Sequence, residues 1–275
     1  MKISILGYGA FGSALASHLE RLSYEIIKEE IGDAEIIIIS VPSFAVLPIL
    51  LKFKENISNQ KIIICSKGFT EDGQFMSESI KKEFEKNELF FLYGPTLAEE
   101  LKNGELSAMV LAGYGDKDYI KKVFTSDSLK IEISEDIIGV QVGEALKNVI
   151  AILVGLMEGL GYGQNTQAIF FTRGLQEIQK FGVALGAKPE TFFGLSCMGD
   201  LFVKSRNRLL GVSLGRGEKL NDIIDNLNYI PEGIITLKNA KIIAEKNNIQ
   251  TPVIDILHSI LFEGLSTDEA LKRIW

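Results

Sequence analysis

Lys2-Ile3-Ser4-Ile5-Leu6-Gly7-Tyr8-Gly9-Ala10-Phe11-Gly12 decides how the rest of the chain is read. A short apolar run enters GxGxxG, and the motif opens a helical pattern over residues 10–22. That context, strand before and helix after, gives the spacing its meaning. Gly7 permits the tight turn, Gly9 lets the backbone approach a pyrophosphate, and Gly12 allows close packing of helix on strand. The helix N-terminus, opened by Ala10 and Phe11, faces the anion. The alternative is a glycine-rich turn without a ligand, and the position between strand and helix weighs against it.

Outward from this stretch, short apolar runs alternate with helical periodicity. Residues 3–6, 36–40, 62–65, 89–93 and 109–112 are brief, apolar or β-branched, and bounded by Gly, Pro, Asp or Asn. Such continuous runs suit parallel strands buried on both faces. Helical patterns cover 10–22, 44–53, 74–86 and 116–124. The alternation predicts an α/β fold with a Rossmann-like doubly wound sheet. Near Ile137 the strand pattern fades. Residues 140–159 and 166–186 read as long helices. Shorter ones are expected over 189–195, 220–226, 233–247, 252–262 and 267–275, the last opened by the capping-box pattern Ser266-Thr267-Asp268-Glu269. No Pro- or Ser-rich linker separates the halves. The expected organisation is a dinucleotide-binding domain over 1–136 and an all-α substrate domain over 137–275.

Composition narrows the function. The chain has 275 residues, 46% of them hydrophobic, which is ample for two cores. A net charge of −7 argues against a nucleic-acid or polybasic membrane binder. With two cysteines and two histidines and no CxxC pair, no Cys/His metal site is expected. Unpaired thiols suit a reducing cytoplasm. Apolar stretches such as 149–157 fall short of the roughly 20 residues needed to cross a bilayer, and the glycines at 7, 9 and 12 would break a signal-peptide core.

Candidate site residues cluster at predicted strand ends. The acidic ribose ligand is expected about 20 residues after the glycines. Glu25, Glu29 and Glu30 stand there, with a solvated charged face as the alternative reading. Between Arg21 and Asp33 there is little room for strand, helix and return, so an element is expected to be missing at this edge. The choice between NAD and NADP stays open. In Val41-Pro42-Ser43-Phe44, Phe44 packs either near the dinucleotide or into the core. In Cys65-Ser66-Lys67-Gly68-Phe69, Lys67 is placed to meet an anion or is a surface lysine, and Cys65 reads as a small buried residue. Gly94-Pro95-Thr96-Leu97-Ala98-Glu99-Glu100 is another strand-end loop, with Thr96 read as an N-cap. Lys147 lies among Val142, Leu146, Val149, Ile150 and Leu153. It is an edge residue snorkelling to water or a desolvated amine, and the sequence alone favours snorkelling. Ser205-Arg206-Asn207-Arg208, just after Gly199-Asp200-Leu201, suits a phosphate monoester or forms a solvated basic loop.

Together these pieces resemble the bacterial-type NAD(P)-dependent glycerol-3-phosphate dehydrogenases. The order is the family's: GYGAFG, VPS, SKGF, GPTLAEE, GEALKNVIAILVGLMEGLGYGQNTQAIFFTRGL, GD, SRNR and PEG. The resemblance implies interconversion of dihydroxyacetone phosphate and sn-glycerol 3-phosphate with NAD or NADP, serving phospholipid synthesis, and suggests a homodimer. It implies that Lys147 is the catalytic acid/base. Lys67, Gly94, Thr96, Asp200, Ser205, Arg206 and Asn207 are implied to contact substrate. Gly7, Gly9, Ala10, Phe11, Gly12, Phe44, Lys67, Ala98, Arg206, Ile230 and Glu232 are implied to contact the cofactor. Two departures stand out: the region after the first helix and the link from Asp200 to Ser205 are both shorter than the family pattern. Burial and the nearby Lys67 are expected to lower the Lys147 pKa. Ketopantoate reductases and β-hydroxyacid dehydrogenases share the layout, but SRNR and GPTLAEE weigh against them. A catalytically silent dinucleotide-binding protein is the remaining alternative, against which stand Lys67, Lys147, Asp200 and Arg206.

Overall fold

The computed structural model describes residues 1–227 and 231–274. Its first half holds strands β1 (Lys2–Leu6), β2 (Glu25–Lys28), β3 (Ile36–Ile39), β4 (Lys61–Ile64), β5 (Leu89–Tyr93), β6 (Ser107–Tyr114) and β7 (Leu129–Ser134). They form one sheet in the order β2-β1-β3-β4-β5-β6-β7. All neighbours run parallel except β5 and β6. Helices α1 (Ala10–Arg21), α2 (Val46–Lys52), α3 (Met76–Glu83), α4 (Ala98–Asn103) and α5 (Lys117–Phe124) lie between the strands.

β3 shows why the sheet is covered on both sides. Its four isoleucines are all fully buried. Ile36 and Ile38 pack with Leu15, Leu19 and Phe124 on one face, and Ile37 and Ile39 pack with Val46, Leu50 and Ile80 on the other. The side-chain period of two makes one apolar run serve both layers.

Two strands escape the sequence pattern. β2 has only two half-buried isoleucines between exposed Glu25 and Lys28. In β7, Leu129 and Ile131 turn inward while Lys130 and Glu132 face solvent. The β2 edge is pared down as expected, in a specific way: the strand exists and a helix after it does not. Residues 29–35 return directly to β3, anchored by Glu29 N donating to Ile5 O and Glu35 N donating to Lys2 O. Ile31, buried, covers the sheet face where a helix would pack.

The helical half is arranged around α6 (Ile137–Gly159). Asp136 caps it, accepting from Gly139 N at 2.8 Å, and also accepts from Lys188 N and Thr191 Oγ1. Val140 belongs to a sheet-face core, whereas residues from Val142 onward belong to the helical core. This helix corrects the reading of its stretch as too short to span a bilayer. By length and composition it is long and apolar enough, but 89% of its most apolar window is buried inside the molecule. Around it stand α7 (Gln164–Ala184), a 3-10 turn at Pro189–Phe193 where a helix over 189–195 was expected, and a π-helical turn at Leu195–Gly199 that runs into α8 (Asp200–Phe202). Then come α9 (Arg206–Gly215), α10 (Leu220–Leu227), α11 (Glu232–Asn247), α12 (Pro252–Phe262) and α13 (Thr267–Ile274). At α13 the expected cap is formed, Glu269 N donating to Ser266 Oγ. α6 and α9 approach backbone to backbone. A Cβ on Gly155 would stand 2.1 Å from Arg208 O, and one on Gly211 2.0 Å from Ile152 O. Only glycine permits that contact, and it seats the N-terminus of α9 beside the middle of α6.

Candidate active site

The chain leaves β1 toward one side and returns to β3 on the other, so a crevice opens above the carboxyl ends of β1 and β3. Gly7, at φ +96°, turns so tightly that a Cβ would lie 2.5 Å from Ser40 C. Gly12 sits against Gly7 O, where a Cβ would be 2.2 Å away. Gly9 differs: nothing lies within 4 Å of a Cβ built there. The first turn of α1, opened by Ala10, carries no side-chain cap and no acidic residue. Open space over Gly9 and free amides at a helix N-terminus fit a dinucleotide pyrophosphate. Phe11 and Ala98 pack at the rim of the same sheet-face core. Of the three acidic candidates, Glu29 reaches the loop: its carboxylate accepts from Tyr8 N at 2.7 Å and Gly7 N at 3.3 Å. Glu29 adopts φ +59° to do so, a left-handed conformation uncommon for such a residue. Glu25 is instead an exposed partner of Lys2.

From the glycine loop the contacts run along the strand ends. Ser43, just past β3, donates from its N (3.0 Å) and Oγ (2.8 Å) to the Glu232 carboxylate at the start of α11. Gly68, at φ +132°, packs against Ser43 and Glu232. Phe44 is 43% exposed, so it is not a core residue. Burial raises the Glu232 carboxyl pKa, and the two bonds from Ser43 oppose the rise.

Beside Gly68 stands Lys67, whose Nζ is 2.8 Å from Asp200 Oδ2 and 2.6 Å from Glu144 Oε1. Lys147 donates to the same Asp200 Oδ2, and its Nζ is 3.4 Å from Glu144 Oε1. Lys147 is only 3% exposed, so it does not snorkel. Burial pushes its amine from 10.5 down to about 7; the Glu144 carboxylate opposes this and the Lys67 ammonium adds to it. The π-helical turn delivers Asp200 to this point, and such irregular turns are frequent at functional sites. Pro95, in the loop after β5, lies against Gly199. Gly94, at φ +150°, has no room for a Cβ beneath Ala108 O. Thr96 is not the cap of α4: Leu97 holds that position, and Thr96 Oγ1 donates to Gly94 O instead. Cys65 is buried, and burial pushes its thiol up to about 12, which keeps it inert.

The SRNR residues divide. Asn207 is buried and accepts from Gly233 N, joining the N-termini of α9 and α11. Arg208 donates to Glu158 and Gln167 in a structural role. Arg206 is exposed in the first turn of α9, and Ser205 Oγ is buried without a hydrogen-bond partner. The short link over residues 201–204 leaves Phe202 81% exposed. Ile230 lies outside the described residues. Among the described residues no group of three or more His, Cys, Asp or Glu could hold a metal. Glu144 was absent from the sequence-based set. Its position one turn before Lys147 was legible, but nothing in the pattern distinguished it from a surface glutamate.

A doubly wound sheet with a glycine loop at its switch point, followed by a helical half presenting a desolvated lysine, defines the class of nicotinamide-dinucleotide dehydrogenases. The comparisons name the branch. Residues 22–118 match NAD-dependent glycerol-3-phosphate dehydrogenase N-terminus, and residues 136–272 match NAD-dependent glycerol-3-phosphate dehydrogenase C-terminus. The chain belongs to this family. It is 36% identical to the glycerol-3-phosphate dehydrogenase [NAD(P)+] of Thermoanaerobacter sp. (strain X514), covering 100% of this chain and 96% of that one. The Fusobacterium nucleatum enzyme of the same name is 37% identical over 90% of this chain and 77% of its own. The crystal structure of glycerol-3-phosphate dehydrogenase from Coxiella burnetii superposes with a TM-score of 0.94 at 25% identity, covering 99% and 98% of the two chains. A ketopantoate reductase from Ralstonia eutropha shares the fold alone, with a TM-score of 0.63 at 13% identity. The family resemblance, the fold class and the NAD(P) expectation are borne out.

Proposed function

We propose that this chain interconverts dihydroxyacetone phosphate and sn-glycerol 3-phosphate with NAD or NADP, supplying glycerol phosphate for phospholipid synthesis in the cytoplasm. The observation that carries the reading is the meeting of Lys67 and the desolvated Lys147 on one oxygen of Asp200, at the strand ends beside the glycine loop. Residues 1–136 serve the dinucleotide and 137–275 the substrate. Gly7, Gly9, Gly12 and the amides of Ala10 and Phe11 hold the pyrophosphate, with Phe44, Ala98 and Glu232 along its length. Bound NAD(P)H supplies the hydride.

The protein's own residues handle charge and protons. As the ketone is reduced, negative charge gathers on its oxygen. Lys147, as an ammonium, stabilises that charge and donates the proton. In the reverse direction Lys147 begins neutral and accepts it. A pKa near 7 makes both forms available near neutral pH. Asp200 aims the two amines at one point. The phosphate is met by the buried Ser205 hydroxyl, by Asn207 and Arg206 and by the N-terminus of α9. Lys67 is 28% exposed at its side chain and is placed to bridge substrate and cluster. The overall charge of −7 does not prevent this. Exposed acids beyond a Debye length of about 8 Å are largely screened, whereas a cation 4 Å away gives about 4 kcal/mol at an effective dielectric of 20.

The test is a spectrophotometric assay of dihydroxyacetone phosphate with NADH and with NADPH, alongside ketopantoate. Oxidation of either cofactor by the phosphorylated ketone is expected. Turnover of ketopantoate alone, or cofactor binding without turnover of either ketone, would replace this reading.

A further inference from the structure

Among the described residues of the helical half two glutamates are buried, and their surroundings differ. Glu177 on α7 accepts from Val253 N at 2.7 Å and Ile254 N at 2.8 Å, the free amides at the start of α12. That is a helix cap and explains its burial. Glu144 on α6 is fully buried and has no such partner. Its Oε1 is in ion-pair contact with Lys67 and Lys147, and both of its oxygens are buried with no hydrogen-bond partner. No backbone amide accounts for the carboxylate at this point, only the two amines. A carboxylate taken out of water is costly unless cations or donors compensate it.

The charge balance shows what it does there. Lys67 and Lys147 share a single oxygen of Asp200. With Asp200 alone, two ammonium groups would face one carboxylate in a largely dry pocket. They would repel each other, and the more buried amine would give up its proton. Glu144 makes the cluster two against two.

We propose that Glu144 is a positioning residue for the proton-transfer step, holding Lys67 in the cleft and favouring the ammonium form of Lys147. This rests on the acid/base role given to Lys147 above. The ionisable groups facing Glu144 are Lys67 from the loop after β4, Lys147 on its own helix, Asp200 on α8, Cys197 in the π-helical turn, and Cys65 and Tyr93 from the sheet. Burial raises the pKa of both thiols and of the phenol, so they stay neutral in this range. Glu232 reaches the cluster through Lys67. The lysines are therefore the groups that answer to a change at Glu144.

Glu144→Gln keeps the shape and removes the charge. An opposite charge at this distance shifts a pKa by about one unit or more. In the variant, reduction of dihydroxyacetone phosphate, which needs the ammonium, should fail about one pH unit lower than in the unmodified enzyme. Oxidation of sn-glycerol 3-phosphate, which needs the free amine, should begin about one unit lower. A merely structural role would depress both directions at every pH and move neither midpoint. That result, or coincident profiles, would overturn the proposal. Should Glu144→Gln not fold, Glu144→Asp should give a smaller shift of the same sign, and an unshifted profile would count against it equally. A side-chain nitrogen NMR titration of Lys147 in both proteins separates this inference from the functional reading. A lower midpoint in the variant supports the Glu144 role even if the phosphorylated ketone is not turned over, and equal midpoints sink it even if the ketone is.

Discussion

At the β2 edge the dinucleotide half is reduced to a four-residue strand and a direct return over residues 29–35, whereas at the junction of β4, α6 and α8 four ionisable side chains from three separate elements meet within ion-pair distance. One region has shed structure and the other has concentrated it. The difference follows from what each must do. A dinucleotide can be gripped at its pyrophosphate by backbone amides and helix dipole alone, and those need only the glycine loop and α1. Proton transfer needs side chains held to within fractions of an ångström, and those need a packed surround.

The sharpest break would come at the junction. Lys147→Ala should lower turnover by about 10³-fold or more while the dissociation constant for reduced cofactor stays within a few-fold, measured by fluorescence titration. Activity close to that of the unmodified protein would remove Lys147 from the mechanism. At the glycine loop, Gly9→Val should weaken cofactor binding roughly a hundredfold, about 2.7 kcal/mol, with little change in melting temperature. The space over Gly9 is open, and a pyrophosphate held by this loop would fill it. A large fall in stability would show that Gly9 serves the fold. Arg206→Ala should raise the KM for the phosphorylated ketone about tenfold or more, as expected for a lost charge-assisted contact, with kcat less affected. An unchanged KM would take Arg206 out of the phosphate site.

The β2 edge makes its own prediction. A carboxylate on Gly7 N and Tyr8 N stands where a 2′-phosphate would add like charge. NADH should be used about tenfold better than NADPH, and Glu29→Gln should narrow the ratio, read as kcat/KM for each cofactor. Equal use of both by the unmodified protein would show that the pared edge no longer discriminates. The smallest effect concerns Glu177. Burial pushes its carboxyl up to about 7, against the two amides that favour the anion. The folded state thus keeps a proton that the unfolded chain releases near pH 4.3. This group's contribution is fully present below that unfolded value and is lost as pH rises through about 7. Relative to Glu177→Gln, the unmodified protein should lose about 2–4 °C of melting temperature per kcal/mol over that interval. Parallel curves for the two proteins would refute it.

Much of the architecture was legible because its cause is local. GxGxxG between an apolar run and an amphipathic helix states strand, turn and anion site in eleven residues. The isoleucine run at 36–39 states a strand buried on both sides. β2 and β7 were not legible, because an edge strand pairs on one side only and carries a mixed pattern. Thr96 looked like a cap by residue type, but the chain turns one residue later.

By itself the sequence determined the alternation of the buried strands with helices, the glycine loop, the family and the identity of the residues at the strand ends. Each of these is written in spacing along the chain. Only the tertiary structure decided that Lys147 is desolvated rather than snorkelling, that Glu29 of three acids reaches the loop, and that Glu144 faces two lysines. Those outcomes depend on which surfaces close over a side chain and which partners arrive from residues 21 to 133 positions away. Dielectric and counter-charge are properties of the assembled pocket, and no local pattern encodes them.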